Sequence, residues 1–111
     1  MMIASRILTL RDGDKNIDVP ISIFAPVREK PGVWACRYTV GWPGERRSVA
    51  AYGFDSAQAL VIALGMIGAE IYASSYHKSG NLCWEKPGNG YGFPVAPTLR
   101  DLLQGDDANY L

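Results

Sequence analysis

The chain has one histidine and two cysteines among its 111 residues, and that scarcity removes several kinds of chemistry at once. Structural zinc takes four nitrogen or sulfur ligands, usually in closely spaced pairs. His77, Cys36 and Cys83 supply no such pair, so no metal site is expected. Two cysteines cannot build a disulfide framework, and reduced thiols in a cytoplasm are the expectation. A dominant charge is missing too, since eleven basic residues balance eleven acidic ones. No global field therefore draws the chain to nucleic acid or to an anionic membrane. The start, Met1-Met2-Ile3-Ala4-Ser5-Arg6, lacks the basic stretch and apolar run of a signal peptide. The longest uncharged apolar run, Ala59 to Ala69, is too short to span a bilayer and reads as a core helix.

What is present is ordinary globular composition, 48% hydrophobic and 20% charged. Area scaling leaves about 6,000 Å² exposed after folding, out of roughly 17,500 Å² for the extended chain. That is enough burial for one real core in a single domain, residues 1–111. The first half reads as strands. Ile3 to Leu10 ends at an Asp12-Gly13 turn that suits a hairpin. Ile17 to Ala25 follows, and Pro20, with no N–H to give a ladder, places this strand at an edge or itself near the strand's start. Pro26 to Pro31 reads as a solvated loop. Val33 to Trp42 is the clearest strand, with Trp34, Cys36, Tyr38 and Val40 on the face turned to the core and Arg37 and Thr39 turned away. Pro43-Gly44 fits a type II turn, and Arg46 to Phe54 returns beside it.

Asp55 is a good N-cap, and Gln58 three residues later completes a capping-box pair. The helix runs from Ser56 to about Ser74, with Leu60, Leu64, Ile67 and Ile71 as its sheet-facing stripe. Val61, Ile62, Met66 and Tyr72 spread apolar character beyond that stripe, and Gly65 and Gly68 would let another backbone approach. A patch made of Val61, Gly65, Met66, Gly68 and Tyr72 is therefore the expected interface of a homodimer. The residues after Tyr76 are rich in glycine and proline, with a short strand at Leu82 to Glu85. Thr98, the leucines at 99, 102 and 103, and Gly105 signal a short C-terminal helix. The tail Asp106 to Leu111 reads as a frayed end.

No constellation here carries catalysis. Gly88-Asn89-Gly90-Tyr91-Gly92 lacks the helix that a phosphate loop needs immediately after its glycines. His77, just past the long helix, suits the last carbonyls of that helix. Cys36 lies between Trp34 and Tyr38, an apolar setting that raises a thiol's pKa and makes it inert. Asp12 with Asp14, and Asp106 with Asp107, occupy solvated positions. Two leads remain. One is a basic spot of Arg37, Arg46 and Arg47, more simply read as a solvated strand end. The other is Trp84, Tyr91 and Phe93 on the glycine-rich segment, beside His77, as candidate binding residues.

The run Gly53-Phe54-Asp55-Ser56-Ala57-Gln58-Ala59-Leu60 resembles the helix start of a small bacterial family known only as a domain of unknown function. Val33-Trp34-Ala35-Cys36 and Gly92-Phe93-Pro94-Val95 extend the resemblance over most of the chain. It implies a stand-alone bacterial domain and transfers no activity. The expected fold is α+β: a four- or five-stranded antiparallel meander, one long helix packed across it, and a short C-terminal helix. The expected function is a non-enzymatic protein-interaction module of the immunity or accessory type, without cofactor, catalytic residues, nucleic acid or membrane. The alternative is a small-molecule binder or minor enzyme using a cleft near the Gly/Pro-rich segment. Both rest on architecture.

Overall fold

Period-two alternation through the first half of the chain sorts side chains onto the two faces of one antiparallel sheet. The computed structural model describes residues 1–111 and gives six strands: β1 (Met2–Asp12), β2 (Lys15–Phe24), β3 (Val27–Lys30), β4 (Val33–Trp42), β5 (Glu45–Gly53) and β6 (Leu82–Cys83). Helix α1 (Ser56–Ala73) and the one-turn α2 (Ser75–Lys78) precede β6. A 3₁₀ helix (Pro97–Leu102) and α3 (Asp106–Tyr110) end the chain. The strands lie in the order β5-β4-β2-β1-β6, and β3 continues along the edge of β4 that β2 also occupies.

The count exceeds four or five because of β3; β6 lies within the short strand expected at Leu82 to Glu85. Val27-Arg28-Glu29-Lys30, expected as loop, pairs with the start of β4 although its side chains are exposed. Two residues of the glycine-rich segment form β6 against Thr9 and Leu10. Neither place expected for Pro20 holds, because β2 lies inside the sheet between β1 and β4 and Pro20 falls in the middle of the strand. The pairing of β2 to β4 runs only from Ile21 to Ile23, so Pro20 falls where the ladder no longer needs its N–H. Pro20 packs against Gly41, where a side chain would collide with the ring.

Register puts Leu8, Leu10, Val19, Ile21, Ile23, Cys36, Tyr38, Val40, Ala51 and Leu82 on one buried face. Trp34 is half-buried on that face and Arg37 is exposed on the other, as the alternation predicts. Thr39 also faces away yet is buried among its sheet neighbours. The outer face has no covering layer, and Ile7 and Tyr52 stand there 55% and 52% exposed. The accessible surface is 6766 Å², above the value size alone suggests.

Helix α1 crosses β4 and β5. The Asp55 side chain accepts the Gln58 N–H at 2.7 Å, and the Gln58 side chain accepts the Phe54 N–H at 2.7 Å. The box therefore closes one residue earlier than in the usual pattern. The stripe matches the expected one at Ile67 and Ile71 and is displaced in its first half. Ala59, Ala63, Ile67 and Ile71 meet the sheet, while Leu60 and Leu64 are half-buried. Small alanines let the helix sit close, and a side chain on Gly53 would strike the backbone of Ala59. By length and hydropathy α1 could cross a membrane; here its buried stripe lies on the sheet. Glu70, on its far half, accepts from Trp42 Nε1 at 2.8 Å and from Arg47 Nε at 3.2 Å.

Candidate functional site

Beyond the reach of α1, the β1–β2 half of the buried face needs another cover, and the segment Gly90 to Val95 supplies it. This run is pressed so closely on α1 that a side chain on Gly68 would collide with the Pro94 carbonyl. Tyr91 and Phe93 are both buried within it. Arg6 of β1 reaches this segment, donating from Nη1 to the Tyr91 carbonyl at 3.0 Å. Its guanidinium lies 3.8 Å from the centroid of the Trp84 ring and 5.0 Å from that of Phe93, a cation–π arrangement. Burial draws the Arg6 pKa down, while Asp107 and then Glu85 oppose the shift.

Asp107 is the centre of the cluster. It is 2% exposed, and both its oxygens are occupied. Oδ2 accepts the Tyr72 hydroxyl at 2.7 Å and the Tyr91 N–H at 2.8 Å, and Oδ1 accepts the Gly92 N–H at 2.7 Å. Gly90 and Gly92 flank Tyr91 at φ +84° and +78°, and these left-handed turns aim successive N–H groups inward as an anion-holding nest. The glycine-rich run thus holds an anion after all, and the anion is the chain's own carboxylate. The frayed tail expected from the sequence is corrected, since residues 106–110 form a helical turn that carries Asp107 inward.

The aromatic side of the cluster joins Tyr72, His77 and Tyr91 edge to face, with ring centroids 4.9–5.5 Å apart. The His77 ring does not cap α1. Its Nδ1 lies 2.5 Å from the Tyr91 hydroxyl, whose proton can alternatively serve the Leu82 carbonyl at 3.3 Å. The Ser74 hydroxyl accepts the His77 N–H and so starts α2. Burial, then Lys78, lowers the His77 pKa. Burial first, and then the nearby Cys83 and Asp107, push Tyr91 up to about 12. Tyr72 rises as well, through burial and then its bond to Asp107.

Of the four sequence-predicted binding residues, His77 and Tyr91 meet directly, and Trp84 and Phe93 meet through Arg6. Tyr91 and Phe93 are core rather than free surface. Trp84 forms one wall of an open cleft of about 330 Å³, with Lys86, Asn89, Asp106 and Tyr110 among its other walls. Of the predicted interface residues, Gly68 and Tyr72 are buried beneath the C-terminal segment, Gly65 and Met66 are half-buried, and Val61 is 65% exposed. The basic spot does not assemble. Arg37 pairs with Glu29, Arg47 with Glu70, and Arg46 lies on the opposite face from Arg47. Cys36 is buried, donates to the Phe24 carbonyl, and has its pKa raised by burial. Sequence reasoning missed Arg6 and Asp107 and read Tyr72 as interface rather than as a partner of Asp107; only the alternate glycines at 90 and 92 hinted at an anion nest.

The chain belongs to a family described as a domain of unknown function, DUF6968, whose model matches residues 4–95. No curated protein matches the chain. No solved structure matches it either.

Proposed function

We propose that this domain is a bacterial, cytoplasmic protein-interaction module that acts without catalysis, and that its first partner is a second copy of itself. One observation carries the reading. Strand β5 pairs only with β4, and its free edge ends beside a shallow depression of about 310 Å³ that includes Val33, Tyr52, Phe54 and Ile62. Phe54 is 79% and Ile62 38% exposed. Free edges are normally blunted by brevity, proline or lysine. β5 is nine residues long, contains neither, and confines its charges to Glu45, Arg46 and Arg47 at one end, which leaves Ser48 to Gly53 uncharged.

A second copy suits this edge because the strand is compatible with itself. Antiparallel pairing about a two-fold axis at Val49 sets Arg46 opposite Tyr52 of the other copy, and no like charges face each other. Both α1 helices then lie on the same side of one extended sheet. Sedimentation at micromolar concentration tests the reading, with about twice the 12.1 kDa chain mass expected. Ile62→Lys and Phe54→Lys alter exposed side chains and should each give the monomer. A 12.1 kDa species throughout the concentration range refutes self-association.

A second reading, a binder of small polar molecules, is favoured by the cleft beside Trp84. Glu85 in its wall has φ +61°. The Lys86 N–H donates to the Trp84 carbonyl across it at 2.7 Å, closing a tight three-residue turn of the uncommon hand. Such strain concentrates at functional sites. Thermal-shift screening of small polar compounds on the native chain and on Glu85→Gly tests this. A shift confined to the native chain supports it, and no shift retires it.

A further inference from the structure

We propose that the nest formed by the Tyr91 and Gly92 N–H groups and the Tyr72 hydroxyl is a carboxylate-binding site, which Asp107 occupies in cis. The ligand class is the carboxylate of another polypeptide, at a chain terminus or on an acidic side chain. The site is independent of the β5 edge and does not rest on self-association.

The three donors reach both oxygens of a single carboxylate at 2.7–2.8 Å. That is the bidentate, charge-assisted geometry used to recognise a free carboxylate. All three lie within the region shared with the family, residues 4–95, whereas Asp107 lies outside it. The plug is also lightly held. Among residues 96–111 only Leu103 and Asp107 are buried. The remaining ties to the body are Asn89 to Asp106, through side chain and backbone, and the Gln104 N–H to the Tyr72 hydroxyl; the Arg100 bond to the Ala108 carbonyl stays within the tail. The cleft beside Trp84 adjoins the site and is walled partly by the tail itself, through Asp106, Tyr110 and Leu111. Lifting the tail would therefore enlarge this cleft and expose the nest together. A segment with one carboxylate and one leucine seated is built to be exchanged for another chain that offers a carboxylate.

Full-length Asp107→Ala removes the occupant and keeps every donor. Sodium formate, titrated against sodium chloride at equal ionic strength, should shift the Tyr91 and Gly92 amide resonances saturably and raise Tm. The native chain should show neither effect. Leu103→Ala keeps Asp107 and loosens the tail. Formate should move the same two resonances there, and residues 104–111 should gain mobility. Short peptides bearing only a free C-terminal carboxylate, or only an aspartate with both ends blocked, then identify the source; binding of either supports the site. If Asp107→Ala does not fold, Leu103→Ala carries the test. Absence of a saturable shift in every variant that folds overturns the assignment, as does formate binding with neither peptide bound.

Discussion

Two glycines one turn apart on α1 should respond oppositely to the same substitution. Exchanging glycine for alanine inside a helix normally stabilises by about 1 kcal/mol, because alanine loses less backbone entropy on folding. At Gly65 nothing opposes that gain. An added Cβ would sit 3.8 Å from the Ala96 nitrogen and 3.9 Å from the Val95 carbonyl carbon, ordinary contact distances. At Gly68 the added atom would drive into the Pro94 carbonyl. That obstacle is backbone, so no rotamer change relieves it and the segment must retreat. Overpacking of this kind costs about 1–3 kcal/mol. Retreat also unseats Phe93, 5% exposed, whose burial contributes about 1.5–3 kcal/mol. Losing part of that burial, and regaining 1 kcal/mol of propensity, leaves Gly68→Ala destabilised by about 2 kcal/mol. Gly65→Ala should be stabilised by up to about 1 kcal/mol. Urea unfolding of both variants measures the difference. Gly68→Ala as stable as the native chain would refute the close seating of residues 93–95 on the helix.

Removing the helix cap with Asp55→Ala should cost about 1 kcal/mol in urea unfolding, and Asp55→Asn most of a unit less. His77 binds its proton less readily when folded than its ordinary value of 6.5 implies. The unfolded chain therefore takes up more protons as pH drops, so stability should fall below about pH 6.5, and His77→Gln should flatten that part of the curve. The raised pKa of Tyr91 works in the opposite sense. Its contribution is intact below the unfolded value of 10 and lost as pH rises toward about 12, and Tyr91→Phe should weaken this alkaline dependence in a denaturation series.

Features set by near neighbours in sequence were legible, and those set by distant contacts were not. The Asp55 cap and the sheet-facing alternation of Cys36, Tyr38 and Val40 depend on residues one to three positions away. The expected stripe on α1 holds at Ile67 and Ile71, but its first half lies one position earlier, at Ala59 and Ala63 instead of Leu60 and Leu64. Close approach of the helix to the sheet favours the small alanines there. β3 was hidden because a short charged segment looks like loop until β4 is there to pair with it. Proline pointed β2 to an edge for a sound reason, yet the interior position is tolerated since the β4 ladder starts at Ile21. The candidate site depends almost wholly on distance. Arg6, Tyr72, Tyr91 and Asp107 come from four separate parts of the chain, and two adjacent aspartates near a terminus resemble a solvated tail. Nothing local marks Asp107 as the one that turns inward.

The long helix has too much apolar surface for one sheet, and the structure separates that excess into two flanks. At 100° per residue, Gly68, Tyr72 and Gly65 lie to one side of the Ile67 line, and Met66 and Ile62 to the other. The first flank is covered within the chain by Pro94 and Val95. The second lies above β5, on the side where Glu70 meets Arg47. Cover by the chain's own C-terminal segment and association with a second copy therefore do not compete, because they use opposite flanks. This division makes a joint prediction. Gly68→Ala should lower stability and leave the sedimenting mass unchanged. Ile62→Lys should halve the mass and abolish the concentration dependence that self-association gives the urea midpoint, while the monomer's own midpoint stays as it was. If Gly68→Ala dissociates the dimer, or Ile62→Lys loosens the Phe93 segment, the two flanks are one surface and the division fails.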